Sequence, residues 1–303
     1  LWGDEAKGTA VEFPLPVILW DGQLHVFLSS AFHHSPNHTV ESKGSYFTLH
    51  HSKIYSTDAS GTLALDDHHH PTNAKPLDLS ITKTVFSSIL VVLLMVWLFA
   101  KVAKGYRSDL VPRGFSRIIE PLIILVRDDI ARPNIGEKHY KRFMPYLLTL
   151  FFFIWIANLI GLMPFGINIT GNIAVTLGLA LITFILTQFS ANKYYWGHIF
   201  WMPGVPYLMR VILAPIEVLG LIVKPFSLLI RLYANILAGH VVLMSIIGLM
   251  FVFSNVFAKG AFFGLTFFLS IIELLVAFLQ AYIFTMLSAL YFGSAVEEHA
   301  EHH

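Results

Sequence analysis

EVLGLIVKPFSLLIRLYANILAGH, residues Glu217 to His240, lies inside an otherwise apolar run and decides how the chain is read. A charged side chain at bilayer depth costs roughly 2.5–3.5 kcal/mol even on the lenient insertion scale, so Glu217, Lys224 and Arg231 each need a partner or a task. They recur every seven residues. At about 100° per residue, seven residues fall about 20° short of two turns, so the three charges share one helix face, and Asn235 extends it. Two readings follow. A membrane arginine can pair with a carboxylate inside a helix bundle. A track of charges and an amide can instead face water or a partner's ionisable group and pass an ion along.

Composition sets the class. The chain has 303 residues, is 55% hydrophobic and 13% charged, and has a mean hydropathy of +0.66. Those values describe a polytopic helical membrane protein. The net charge of +1 argues against nucleic acid as a partner. The absence of cysteine excludes disulfides, thiolate catalysis and sulfur-ligated metals. The first residue is Leu1 rather than methionine, as expected after removal of a leader and equally of a truncated chain.

Residues 1–79 are polar, without an apolar run long enough to span, and read as an extracytoplasmic extension; residues 80–303 form the membrane domain. Val17 to Trp20 and Gln23 to Leu28, around Asp21-Gly22, predict a β-hairpin with a tight turn. Tyr46 to Leu49 and Lys53 to Tyr55 predict further strands. Nine of the fifteen histidines fall here, including His33-His34, His50-His51 and His68-His69-His70. No acidic or cysteine partner stands at a ligand spacing, so they read as a solvated surface and no metal is called for. Asn37-His38-Thr39 and Asn168-Ile169-Thr170 match a glycosylation acceptor too short to carry weight.

The first span is expected over 81–103. Ten of the twenty Lys and Arg residues follow between Lys101 and Arg142, which places that loop in the cytoplasm or matrix and the amino terminus outside. Within it, 113–130 alternates apolar and charged residues as an interfacial helix would, with a bend expected at Pro121. Spans over 144–163 and 172–189, joined by a short Pro/Gly/Asn turn, predict a packed antiparallel hairpin. Ala191 to Pro206, with Tyr194, Tyr195, Trp196 and Trp201, reads as an aromatic interfacial loop.

Residues 207–254 are too long for an upright span, since about 1.5 Å per residue gives roughly 72 Å against a core of about 30 Å. One long tilted helix, bent at Pro215 and Pro225, is expected. A turn at Lys259-Gly260 would then lead into an equally long helix over 261–293. In such a hairpin Arg231 falls near the level of Gln280 and His240 near that of Glu273, the second helix's two strongest interior polar groups. His240 lies about half a turn around from Arg231, so one flat stripe cannot hold both. His and Glu can relay protons, whereas a guanidinium cannot. The fold class is therefore an all-α polytopic membrane protein with five membrane-embedded helices, the last two a tilted hairpin, plus an interfacial helix and a small β-containing amino-terminal region.

From about Arg113 to Phe292 the chain resembles subunit a of the F-type ATP synthase. The resemblance is carried by Ile135-Gly136, by Asn158-Leu-Ile-Gly161-Leu-Met-Pro164, by Lys224-Pro225-Phe-Ser227-Leu-Leu-Ile-Arg231-Leu-Tyr-Ala-Asn235-Ile-Leu-Ala-Gly239-His240, and by Leu279-Gln280-Ala-Tyr-Ile-Phe. It implies a stator channel beside a rotating c-ring, with Arg231 as the arginine that meets the ring carboxylate. It further implies that Asn235 and Gln280 are that arginine's polar neighbours, that His240 and Glu273 belong to an outer half-channel, and that Glu217 belongs to an inner one near Glu297 and Glu298.

The implied partners are c-ring proteolipid subunits, a peripheral stalk subunit b, the F1 sector indirectly, and the lipid bilayer. The implied place is the bacterial inner membrane, or alternatively the mitochondrial one, with the carboxyl terminus cytoplasmic. No cofactor and no catalytic site of its own are implied. A histidine in the outer path favours protons as the coupling ion. The competing reading is a stand-alone secondary transporter of a small solute, which ordinarily shows internal repeats and broken half-helices. Neither feature is visible in the sequence.

Overall fold

The computed structural model describes residues 14–34, 39–50, 53–66, 71–108, 116–162, 169–200, 206–253 and 255–297. His38, His51, His68 to His70, Pro164, Glu298 and both acceptor asparagines, Asn37 and Asn168, lie outside them. The chain divides into two compact units, residues 1–86 and 87–303.

In the first unit, alternating apolar residues build two three-stranded antiparallel sheets. Strands Pro16–Trp20 (β1) and Leu24–Leu28 (β2) form the expected hairpin. Helix Ala31–His34 (α1) and strands Thr39–Ser42 (β3), Ser45–His50 (β4), Lys53–Thr57 (β5) and Leu77–Asp78 (β6) follow. The orders are β2-β1-β6 and β3-β4-β5. The first hairpin closes less tightly than expected. Trp20 opposite Leu24 is the last pair, which leaves the three residues Asp21 to Gln23 as the loop, with Gly22 at φ 74° where a side chain would be strained. Val17, Leu19, Phe32, Val40, Phe47 and Ile54 form the unit's core. His25 is buried against the Phe47 ring, with Nδ1 3.2 Å from Ser42 Oγ.

The remaining elements are helical. Lys83–Ser108 (α2) buries Val91, Met95, Leu98 and Val102, a stripe at three- and four-residue spacing. Ser116–Leu125 (α3) contains Pro121 and runs into a π-helical turn, Val126–Ala131, then Arg132–Ile135 (α4), so the helix expected over 113–130 changes to π geometry after Leu125 and a further short helix follows it. Pro133 supplies the reason: it lacks the N–H that an α-helix would aim at the Asp129 carbonyl, and the widened turn precedes it. Gly136 at φ 87° ends α4.

Tyr140–Leu162 (α5), Ile173–Ser190 (α6), Lys193–Phe200 (α7), Tyr207–Val252 (α8) and Val256–Val296 (α9) complete the chain. Five helices among the described residues, α2, α5, α6, α8 and α9, are long and apolar enough to cross a membrane.

Two expectations need correction. The break between the last two helices falls at Phe253 to Asn255, and Lys259-Gly260 lies inside α9. The Asn255 side chain accepts from the Phe257 N–H at 3.0 Å and so starts the helix earlier, while a lone glycine inside a helix costs only about 1 kcal/mol. Secondly, α5 and α6 do not form a close-packed hairpin: α5 packs chiefly on α9, and α6 on α8. The aromatic face of α5 is occupied by α9, with Phe143 stacked on Phe292 at 4.6 Å and Phe151 edge-on to Phe278 at 5.8 Å. A hydroxyl pair, Tyr146 to Thr183 at 2.7 Å, ties α5 to α6. Both Pro215 and Pro225 are accommodated within α8, which stays one helix of 46 residues.

Candidate functional site

The α8/α9 hairpin brings its polar residues together at two depths. In the half of α8 that leads to its break with α9, Asn235 donates from Nδ2 to Gln280 Oε1 at 2.8 Å. One turn further, Glu273 lies against Gly239 so closely that a Cβ there would stand 2.7 Å from Glu273 Oε1. The residue at Gln280 is thus Asn235, one helical turn beyond Arg231. Asn158 of α5 closes the group, accepting from Thr170 Oγ1 at 2.7 Å and donating weakly to the Ala277 carbonyl at 3.4 Å.

These residues wall a cavity of about 30 Å³ that His240 and Gly161 also line. A water needs about 10–15 Å³ measured in this way. Glu273 Oε2 and Gln280 Nε2 are buried with no protein hydrogen bond. A buried acceptor and a buried donor left open in one small cavity are what a water or a mobile proton carrier would satisfy. The polar lining contains a carboxyl, an imidazole, three amides and a hydroxyl. Carboxyl and imidazole can each take up and release a proton.

A second, wider cavity of about 660 Å³ lies toward the other end of α8, lined by Glu217, Lys224, Tyr195, His198, Lys193 and Glu297 among others. The Lys224 ammonium stands 5.3 Å from the Tyr291 ring centroid and 6.0 Å from that of Tyr195, two π-faces that partly replace its lost hydration. Burial pushes the Tyr195 phenol above its ordinary value, which keeps the hydroxyl protonated. Asn192 holds α7 over this cavity, its backbone and side-chain N–H groups reaching the Ala295 and Val296 carbonyls at 2.9 and 3.2 Å.

Arg231 belongs to neither cavity. It is exposed on α8, seven residues from Lys224 and four from Asn235, hence about 10 Å and 6 Å along the helix axis from residues of the two groups. Phe226, Ile230 and Leu237, about 100–140° around the helix from it, are also exposed, so the charge borders an open apolar face of α8. Pro225 is buried and lines a small recess with Tyr291, and Ser227 is half-buried outside both cavities.

Sequence reasoning did not single out Tyr291 or Asn192, and reached Tyr195 only as an interfacial aromatic and Thr170 only within an acceptor motif. Their types are too common in membrane helices and loops to signal a role before the partners are known. It also passed over a charge cluster on the interfacial segment. Asp128 accepts two bonds from Arg127 at 2.8 Å and one from Arg132 at 2.9 Å. The hydrogen bond from Arg127 holds the Asp128 carboxyl below its usual range.

The family model described as ATP synthase A chain matches residues 85–293, and a domain of unknown function (DUF8433) matches residues 2–79. ATP synthase subunit a of Chloroherpeton thalassium is 42% identical over 232 residues, covering 74% of this chain and 69% of that protein. The protein of the same name from Chlorobium phaeobacteroides is 39% identical over 274 residues, covering 86% and 79%. ATP synthase subunit a 2 of Chlorobium luteolum is 39% identical over 290 residues, covering 89% and 83%. With a match that runs from α2 to Gly293 of α9 and includes Arg231, Asn235, His240, Glu273 and Gln280, the chain belongs to the ATP synthase A chain family and is a multi-pass membrane protein of the F-type subunit a kind.

Proposed function

We propose that this chain is the stationary proton channel of ATP synthase, offering two offset half-channels to the carboxylates of a rotating c-ring. The supporting observation is Arg231, on the open face of α8 between the two cavities. The cavity of His240, Glu273, Asn235 and Gln280 serves as the outer half-channel, and that of Glu217 and Glu297 as the inner one. A fixed guanidinium cannot hand on a proton and opposes a positive charge moving directly between them. It favours the ionised form of a ring carboxylate brought beside it, so a carboxyl gives up its proton to one half-channel before passing Arg231, and a proton taken up from the other half-channel rides on the ring the long way round.

The exposed apolar residues on the face of α8 that borders Arg231 are the surface on which the ring helices would turn. A peripheral stalk subunit b is the expected second partner, and contact with the F1 sector is indirect. The excess of Lys and Arg between residues 101 and 142 supports a cytoplasmic position for that loop, an external amino-terminal extension over residues 1–79, and a cytoplasmic carboxyl terminus. Family membership removes the footing of the stand-alone transporter. Replacing Arg231 by Ala is expected to abolish ATP-driven proton pumping in inverted vesicles while hydrolysis by the detached soluble sector continues. Pumping at near the wild-type rate would refute the role assigned to Arg231.

A further inference from the structure

The sheet β2-β1-β6 presents an outer face without a polar residue. Directly opposed residues of an antiparallel pair share a face. The pairs Pro16–Leu28, Ile18–Val26 and Trp20–Leu24, with Leu77 also opposite Trp20, therefore point the same way. The other face, with Val17, Leu19 and Phe27, already packs in the unit's core. An antiparallel sheet with one buried face ordinarily carries polar residues on the other. Here the outer set is apolar as well, and it is bare: Trp20 is 52% exposed, Leu24 44%, Val26 57%, Leu28 51% and Leu77 59%. With Leu79 they leave on the order of 600 Å² of apolar surface, the upper end of what a soluble monomer leaves open.

The tether says what covers this face. β6 leads through four residues to the start of α2 at Lys83. Those residues are themselves fastened to β1: Leu79 N–H donates to the Ile18 carbonyl at 2.9 Å, Ser80 Oγ accepts from the Ile18 N–H at 3.1 Å, and Ile81 N–H donates to the Pro16 carbonyl at 3.2 Å. Sheet and helix start belong to one compact unit. At no more than about 3.6 Å per residue, the sheet is held within about 18 Å of the point where a membrane-crossing helix begins. Exposed apolar side chains resume at once on that helix with Val85 and Phe86.

The chemistry of the face points the same way. A protein interface of this size would carry about one hydrogen bond per 100–200 Å². Among its side chains this face offers a single donor, the Trp20 indole N–H, on the residue type favoured at the membrane–water boundary. We propose that the outer face of sheet β2-β1-β6 is a lipid-docking surface, seated in the interfacial zone of the leaflet at which the first span begins. The amino-terminal unit would then lie on the bilayer and fix the entry of α2.

The chain carries no cysteine, so a single nitroxide can be attached at Val26→Cys in the full chain, reconstituted with its complex in phospholipid vesicles. Collision rates with oxygen, which partitions into lipid, are compared with those of a water-soluble nickel chelate. Glu41→Cys on β3, whose side chain is exposed, gives the aqueous reference. The Val26 label should favour oxygen over the chelate several-fold more than the Glu41 label does, and Leu28→Cys should repeat the result if Val26→Cys fails to fold. Free access of the chelate would put the face in water, and shielding from both reagents would put it under protein. Either outcome overturns the proposal.

Discussion

Asn235 and Gln280 meet across the α8/α9 hairpin at 2.8 Å, one turn from the exposed Arg231, and fix the register at which the two longest helices face each other. Interhelical hydrogen bonds in membranes contribute only about 0.6 kcal/mol on average and about 1.7 at most. That is too little to hold together helices that also pack through Leu228, Leu232, Ala281 and Phe284. Asn235→Ala is therefore expected to lower the melting temperature of the detergent-solubilised protein by no more than a few degrees while reducing proton conduction far more. Equal loss of both would make the pair a structural clamp.

Gly239 and Glu273 approach so closely that a methyl group at position 239 must push the carboxylate aside. The obstruction is the flexible end of a side chain, so Gly239→Ala should fold and insert normally. A carboxyl displaced by about 1 Å can lose up to about 100-fold in rate where geometry governs transfer. Proton pumping in Gly239→Ala vesicles should fall accordingly, and the double variant Gly239→Ala, Glu273→Asp, with its shorter side chain, should recover part of it. An unchanged rate in the single variant would free Glu273 of any positional demand.

Much of this arrangement is legible in the residues because hydrocarbon tolerates few polar groups. Glu217, Lys224, Arg231, Asn235, His240, Glu273 and Gln280 stand out against apolar neighbours, and runs of about twenty apolar residues announce their helices. Local punctuation is harder to read. Gly260 looks like a turn and sits in a helix, because Asn255 caps the chain first. The π-helical turn at Val126–Ala131 depends on one missing N–H at Pro133. The α5/α6 pairing fails because α9 takes the aromatic face of α5, a competition between partners that no single stretch records.

Gly293 of α9 abuts the Asn134 carbonyl with no room for a side chain, so this glycine sets how closely α4 can dock on α9. The obstacle is backbone, held by the capped end of α4, and cannot swing away as the Glu273 side chain can. Overpacking of this kind costs roughly 1–3 kcal/mol and sometimes more. Gly293→Ala should reduce the amount of folded chain recovered from membranes and lower its melting temperature, in contrast to Gly239→Ala. Wild-type recovery and stability would mean that α4 shifts freely on α9.

Asp128, bonded by Arg127 and Arg132, supplies a pH-dependent contribution whose sign follows from its depressed pKa. The folded chain holds this proton less tightly than an unfolded one, whose aspartates titrate near 3.9. The ion cluster therefore stabilises fully above that value and loses its effect as pH falls through the lower, folded-state pKa. The cluster is partly exposed, so its contribution is small and screened by salt. In low salt, the difference in melting temperature between wild type and Asp128→Asn should be constant from neutral pH down to about pH 5 and close progressively below about pH 4. A gap that stays open in acid would come from the shape of the asparagine, and a gap that widens on acidification would reverse the assigned charge pairing.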